Sequence, residues 1–131
     1  MTGLDTNILV RHFMQDDSSQ VGQVAEITDS LSSAEPGWVG VAVVAELVWV
    51  LSGTYRLRKQ AMIYVLDRML ASQDILVEQA DAVRAAVLLY RNGNADFQDC
   101  LIAASAKAAG CSRVVTFDHI SARDAGMELI A

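Results

Sequence analysis

The sequence predicts an α/β fold in which a parallel sheet is covered on both faces by helices, a three-layer α/β/α sandwich. Three observations predict it. Short apolar runs of strand length alternate with longer segments of helical periodicity, the pattern of βα units. The strand runs are short and mostly apolar, as strands covered on both faces are. Asp5 and Asp118 each stand directly after such a run, where open α/β folds collect their ligands, so both are expected to reach one crevice. With 131 residues, 53% of them hydrophobic and 20% charged, the chain suits a single domain over residues 1–131 with a substantial core.

The elements follow in order. Met1 to Leu4 is a short apolar run that ends at Asp5-Thr6-Asn7, and a helical pattern carries Ile8, Leu9 and Phe13 on one side. Asp16-Asp17-Ser18-Ser19 reads as a loop with helix-starting residues, and Val21, Val24, Ala25, Thr28 and Leu31 then recur at helical spacing. Glu35-Pro36-Gly37 is a turn before a buried strand at Trp38–Val41. Helices are predicted at Ala42–Ser52 and Arg58–Ala71, the second with a stripe of Ala61, Met62, Val65, Leu66 and Met69. Ile75-Leu76-Val77 is a strand, and helices follow at Asp81–Arg91 and Ala95–Ala109, the latter stopped by Gly110. Val114–Phe117 and Glu128–Ile130 are the last strands.

Composition removes several classes of function. The most apolar stretch, Trp38 to Leu51, contains Gly40 and Glu46 and falls short of the roughly 18–20 residues of a membrane span. No secretion signal is expected at the N-terminus, so the chain is read as cytoplasmic. Cys100 and Cys111 lack zinc-site spacing and read as buried free thiols. No phosphate-cradling glycine loop occurs. A net charge of −6 opposes an ordinary nucleic-acid-binding module, which carries a basic footprint. It is compatible with a nuclease whose carboxylates converge on metal ions, because the metal then presents the positive charge to the phosphate.

Five acidic residues stand out. Asp5 follows the first strand and is also a natural N-cap for the next helix. Glu46 sits in an almost wholly apolar helical segment and is expected to be buried, where it needs a partner, a proton or a metal. Arg68, Arg84 or a solvent-facing helix side are its plainer explanations. Asp96 and Asp99 share one face of the first turn of their helix, where the helix dipole and capping also favour acids. Asp118 ends a strand, or else caps a short turn through Ser121. Five separate innocent explanations, four of them at element ends, are a poorer account than one shared metal site. Oxygen-only ligands select Mg²⁺ or Mn²⁺. A pair of such ions roughly 3.5–4 Å apart clamps the attacking and leaving oxygens of a phosphodiester.

With these residues in view, the sequence resembles PIN domains, and among them the VapC-type toxins of bacterial toxin–antitoxin pairs. The resemblance rests on Leu4-Asp5-Thr6-Asn7-Ile8-Leu9-Val10, on helical Glu46, on Asp96 to Ala104, and on Val115-Thr116-Phe117-Asp118, in the family's order. It covers nearly the whole chain. It implies a metal-dependent endoribonuclease with Asp5, Glu46, Asp99 and Asp118 as the acidic tetrad and Asp96 as a further metal-binding acid. Thr6, Asn7 and Thr116 correspond to residues that support the site by hydrogen bonding. The resemblance also implies RNA cleavage leaving a 5′-phosphate, a homodimer, and a VapB-like antitoxin that occupies the active-site groove in a hetero-oligomer.

Other features are discounted. His12 and His119 are not required as bases where a metal activates water. Trp38 and Trp49, with apolar neighbours, are expected in the core. The basic cluster Arg56-Leu57-Arg58-Lys59 reads as a solvated helix start, with RNA phosphate contact as its alternative. An aspartyl-phosphate phosphatase would have a second aspartate where Asn7 stands, and a receiver domain needs a lysine in position from only Lys59 and Lys107. A catalytically silent scaffold that binds RNA or protein is the remaining alternative; it would bind without cutting.

Overall fold

The computed structural model describes residues 1–16 and 18–130. The chain divides into two compact units, Met1–Glu78 and Gln79–Ala131. Asp17, part of the expected loop after the first helix, lies outside the described residues.

The first unit contains β1 (Thr2–Gly3), α1 (Thr6–Met14), α2 (Ser18–Ser30), β2 (Gly37–Val39), α3 (Val41–Gly53), α4 (Lys59–Ala71) and β3 (Ile75–Val77). Its strands form one parallel sheet in the order β1-β2-β3, with Thr2 opposite Gly37 and Trp38 opposite Leu76. Parallel neighbours require long crossovers, and the helix pairs α1–α2 and α3–α4 supply them. Gly37 lies close against its neighbours: a Cβ there would stand 2.8 Å from Leu4 Cδ1 and 3.0 Å from Leu31 Cδ1, so both leucine side chains would have to shift.

The core of this unit is built from single helix stripes. On α3 the buried residues are Val44, Leu47, Val48 and Leu51, the i, i+3, i+4, i+7 set of one face. On α4 they are Met62, Val65, Leu66 and Met69, with Ala61 exposed beside the stripe. On α1, Leu9 and Val10 are buried with Thr6, while Ile8 and Phe13 are only half-buried. The α3 stripe corrects two expectations. Trp49 lies on its opposite side and is 71% exposed, and Trp38 on β2 is 38% exposed, so neither belongs to the core. Apolar neighbours in sequence do not bury a residue that the helix turns outward.

The second unit contains α5 (Ala80–Asn92), α6 (Phe97–Ala108), β4 (Val115–Thr116), α7 (His119–Asp124) and β5 (Glu128–Leu129). Helices α5 and α6 pack together, and their buried residues are mostly small: Ala82, Val83, Ala86 and Val87 on α5, and Cys100, Ala103 and Ala104 beside Phe97 and Leu101 on α6. Phe97 fills this interface, with its ring edge-on to Tyr90 at 5.8 Å between centroids. Gly110 ends α6 with a positive φ of 95°, which lets the Cys111 N–H reach back to the Ala106 carbonyl. Strands β4 and β5 pair in parallel as the sheet of this unit, with Val115 opposite Glu128 and Thr116 opposite Leu129. Helix α7 was not predicted: the sequence showed only a short turn through Ser121 where the chain forms a helix over His119–Asp124. Both cysteines are free, but only Cys100 is buried; Cys111 is exposed because it follows the helix-ending glycine at the surface.

Candidate active site

In the first unit, Asp5, Thr6, Asn7 and Glu46 line a single groove of about 290 Å³ between α1 and α3. Asp5 is the N-cap of α1: its backbone is extended, and its Oδ1 accepts the Thr6 N–H at 2.7 Å. That bond fixes the carboxylate at the strand–helix junction and leaves Oδ2 for other partners. Glu46 is exposed in this groove, on the side of α3 away from the buried stripe. The burial argument therefore does not apply to it; the solvent-facing alternative does, and the solvent it faces is the groove that Asp5 shares. Thr6 is 5% exposed, and its Oγ1 is buried without a hydrogen-bond partner.

The groove also holds residues the sequence reading passed over. Arg11, one helical turn beyond Asn7 on the same face of α1, lines it together with Tyr55. The Arg11 Nη1 donates to the Tyr55 hydroxyl at 3.1 Å, and that hydroxyl donates to Asp16 Oδ2 at 2.8 Å. Arg11 also reaches Asp16 Oδ1 at 3.4 Å and, through Nε, Gln20 Oε1 at 2.8 Å. The Asp16 carboxylate raises the phenol's proton affinity above the ordinary tyrosine value, since it accepts the phenolic hydrogen bond. Glu78 was likewise passed over: its Oε1 accepts the Val41 N–H at 2.9 Å and caps α3, whose N-cap Gly40 has no side chain to do so.

In the second unit, Asp96, Asp99, Thr116 and Asp118 form a hydrogen-bonded group organised by Ser121. Asp96 is the N-cap of α6 and accepts the Asp99 N–H at 2.8 Å. Asp118 is the N-cap of α7 and accepts the N–H groups of Ile120 at 2.8 Å and Ser121 at 3.1 Å. Its own N–H donates to Thr116 Oγ1 at 3.0 Å. Ser121, 1% exposed, donates its hydroxyl to Asp99 Oδ2 at 2.9 Å. Burial raises the proton affinity of Asp99 above the ordinary carboxylate value; Asp96 and Asp118 add to the rise, and the Ser121 hydrogen bond opposes it. Asp96 is exposed and Asp99 half-buried, the difference expected between a capping position and one a turn deeper. Ser121 was visible in the sequence only as a turn residue, because nothing local links it to Asp99.

The donor chemistry of these residues suits a hard divalent cation. They offer oxygen only, and the two charged side chains that act on Asp99 are both acidic, a repulsion that a cation relieves. Among the described residues, no three His, Cys, Asp or Glu side chains are drawn together closely enough to hold an ion as they stand. Of the histidines, His12 does not line the groove. Burial and Arg68 lower its proton affinity, with Asp29 acting the other way. His119 is exposed at the start of α7.

An acid capping the helix after β1, a glutamate on α3, paired acids opening α6 and an acid closing β4 define a class. The chain belongs to the PIN-domain family, whose model matches residues 4–125 and so spans both units. It is similar to the VapC ribonuclease of Aquifex aeolicus (strain VF5), at 30% identity over 115 residues, covering 87% of this chain and 84% of that protein. No solved structure matches the chain.

Proposed function

We propose that this chain is an endoribonuclease that hydrolyses RNA phosphodiester bonds with a divalent metal ion, and that it is the toxin of a toxin–antitoxin pair. Family membership and the VapC ribonuclease relative support this reading. The observation that carries it is the environment of Asp99: a half-buried carboxylate acted on by two further carboxylates and held by a buried hydroxyl. A protein has little reason to gather like charges in this way unless a cation offsets them.

Asp5, Glu46, Asp99 and Asp118 are the residues that would hold the metal, with Asp96 as an additional ligand. Mg²⁺ or Mn²⁺ suits oxygen donors. When bound, the ion supplies positive charge at the phosphate and activates a water molecule for attack. The chain's own groups do the positioning. The Thr6 N–H fixes Asp5, the Ser121 hydroxyl fixes Asp99, and the Ile120 and Ser121 N–H groups with Thr116 fix Asp118. Thr6 and Asn7 line the groove beside Asp5, where they would support the site by hydrogen bonding.

The partners in this reading are an RNA substrate, a second copy of the chain in a homodimer, and a VapB-like antitoxin, in the cytoplasm. No described helix is long and apolar enough to cross a membrane. The Asp5–Glu46 groove suits an arginine of the antitoxin, since guanidinium pairs bidentately with carboxylate. The test is brief expression of the chain followed by mapping of new RNA 5′ ends. Growth arrest, new 5′-phosphate ends and rescue by an adjacently encoded small antitoxin are expected. Growth arrest without new RNA ends rejects the nuclease reading, and RNA cutting without arrest rejects the toxin reading alone.

A further inference from the structure

The groove of the first unit has two chemically different ends. Asp5 and Glu46 form the acidic end. Six residues along α1, about 9 Å of helix, Arg11 lines the same groove with Tyr55. Glu46, Val50 and Thr54 run along α3 at four-residue steps in the same lining, so both helices carry the groove from its acidic end to its basic end. In a chain with 10 basic and 16 acidic residues, a guanidinium placed in line with two presumed metal ligands is a specific feature.

At this end Arg11 and Tyr55 already hold an oxyanion, that of Asp16, which does not itself line the groove. The Asp16 carboxylate accepts from the Tyr55 hydroxyl through one oxygen at 2.8 Å and from the Arg11 guanidinium through the other at 3.4 Å. A guanidinium and a hydroxyl donating to two oxygens of one anionic group is the arrangement that recognises a phosphodiester. The Asp16 side chain is 47% exposed, against 27% for Arg11, so the carboxylate sits on the solvent side of the pair. The longer Arg11–Asp16 bond is the weaker half of this contact and the easier to exchange.

We infer that Arg11 and Tyr55 form a phosphate subsite for the RNA backbone, one that Asp16 fills in the free protein and yields when the strand lies along the groove. The inference rests on the ribonuclease reading and assigns it a substrate-binding element apart from the acids. The contact is to the backbone, so it contributes to affinity and register and carries no base preference. Asp16 acts as a built-in competitor that any anion entering the subsite must displace.

The test measures KM for a short single-stranded RNA in Mn²⁺ across a salt series, alongside fluorescence anisotropy of the same labelled RNA. Arg11→Gln should raise KM and the apparent Kd about tenfold, and should make the salt dependence shallower by about 0.7 in the log–log slope. Tyr55→Phe should weaken binding about threefold without altering that slope. Asp16→Asn should tighten binding, because it removes the competing charge while keeping the side chain's size. If Arg11→Gln keeps the parent KM and salt slope, the subsite is overturned. It is also overturned if Asp16→Asn weakens binding as Arg11→Gln does, since the three residues would then serve only to hold α1. A parent protein that binds the RNA but does not cut it rejects the nuclease reading, and the anisotropy series still decides the subsite. A parent that does neither overturns both.

Discussion

The Ser121 hydroxyl donates to Asp99 Oδ2 at 2.9 Å, joining a residue of α7 to one of α6 across 22 positions of sequence. This bond favours the ionised form of Asp99 against burial and against the charges of Asp96 and Asp118. Ser121→Ala removes it and leaves the other two influences in place. The acid limb of the pH–rate profile should then move to higher pH, and cleavage at neutral pH should fall by about tenfold, the worth of one hydrogen bond to a charged group. The cavity is small, so folding stability should drop by only about 1 kcal/mol. An unmoved acid limb, measured as kcat/KM between pH 5 and 8, would show that the hydroxyl does not tune Asp99.

The same carboxylate makes the metal-free protein's stability depend on pH. Its folded-state proton affinity lies above the ordinary value of 3.8, so the folded state binds the proton more tightly than the unfolded chain does. That favourable contribution is fully present below the unfolded value and is lost as pH rises through the folded value. Urea unfolding in EDTA should therefore show stability falling across this acid range relative to Asp99→Asn. The variant keeps an acceptor for Ser121 and no longer titrates there. Parallel stability curves for the two proteins would remove Asp99 as the source.

Metal should reverse this effect. Added Mn²⁺ should raise the melting temperature, by an amount corresponding to about 2.7 kcal/mol at 100 times the dissociation constant. RNA cleavage should require Mg²⁺ or Mn²⁺ and stop in EDTA. Asp5→Asn keeps the cap acceptor for the Thr6 N–H, so it should fold normally and lose cleavage. Full activity of the parent in EDTA would remove the metal from the mechanism.

Asp96 and Asp99 should separate by phenotype. Asp99→Ala should abolish nearly all cleavage. Asp96→Ala should reduce it in part and raise the Mn²⁺ concentration required, since Asp96 is the more exposed acid. Because Asp96 accepts the Asp99 N–H as the N-cap of α6, its loss should also cost about 0.5–2 kcal/mol of stability. Cleavage rates over a Mn²⁺ series, with unfolding measured on the same samples, check both parts. A dead Asp96→Ala beside a near-normal Asp99→Ala would reverse the assignment.

Local sequence was enough to place the strands and the first six helices, to within a residue or two at most ends, but not the short α7. Periodicity and glycine placement are local properties, and Gly110 stops α6 where its positive φ is needed. The chemical identity of the acids, and their places at helix starts and strand ends, were legible for the same reason. Tertiary structure decided which side of α3 is buried. A helix apolar nearly all round carries no face of its own, so only packing could place Val44, Leu47 and Leu51 inward and Glu46 and Trp49 outward. It also decided the partners. Asp99 meets Ser121 across 22 positions and Arg11 meets Tyr55 across 44. A hydrogen bond between residues so far apart depends on where whole elements dock, and no local pattern of side chains encodes that.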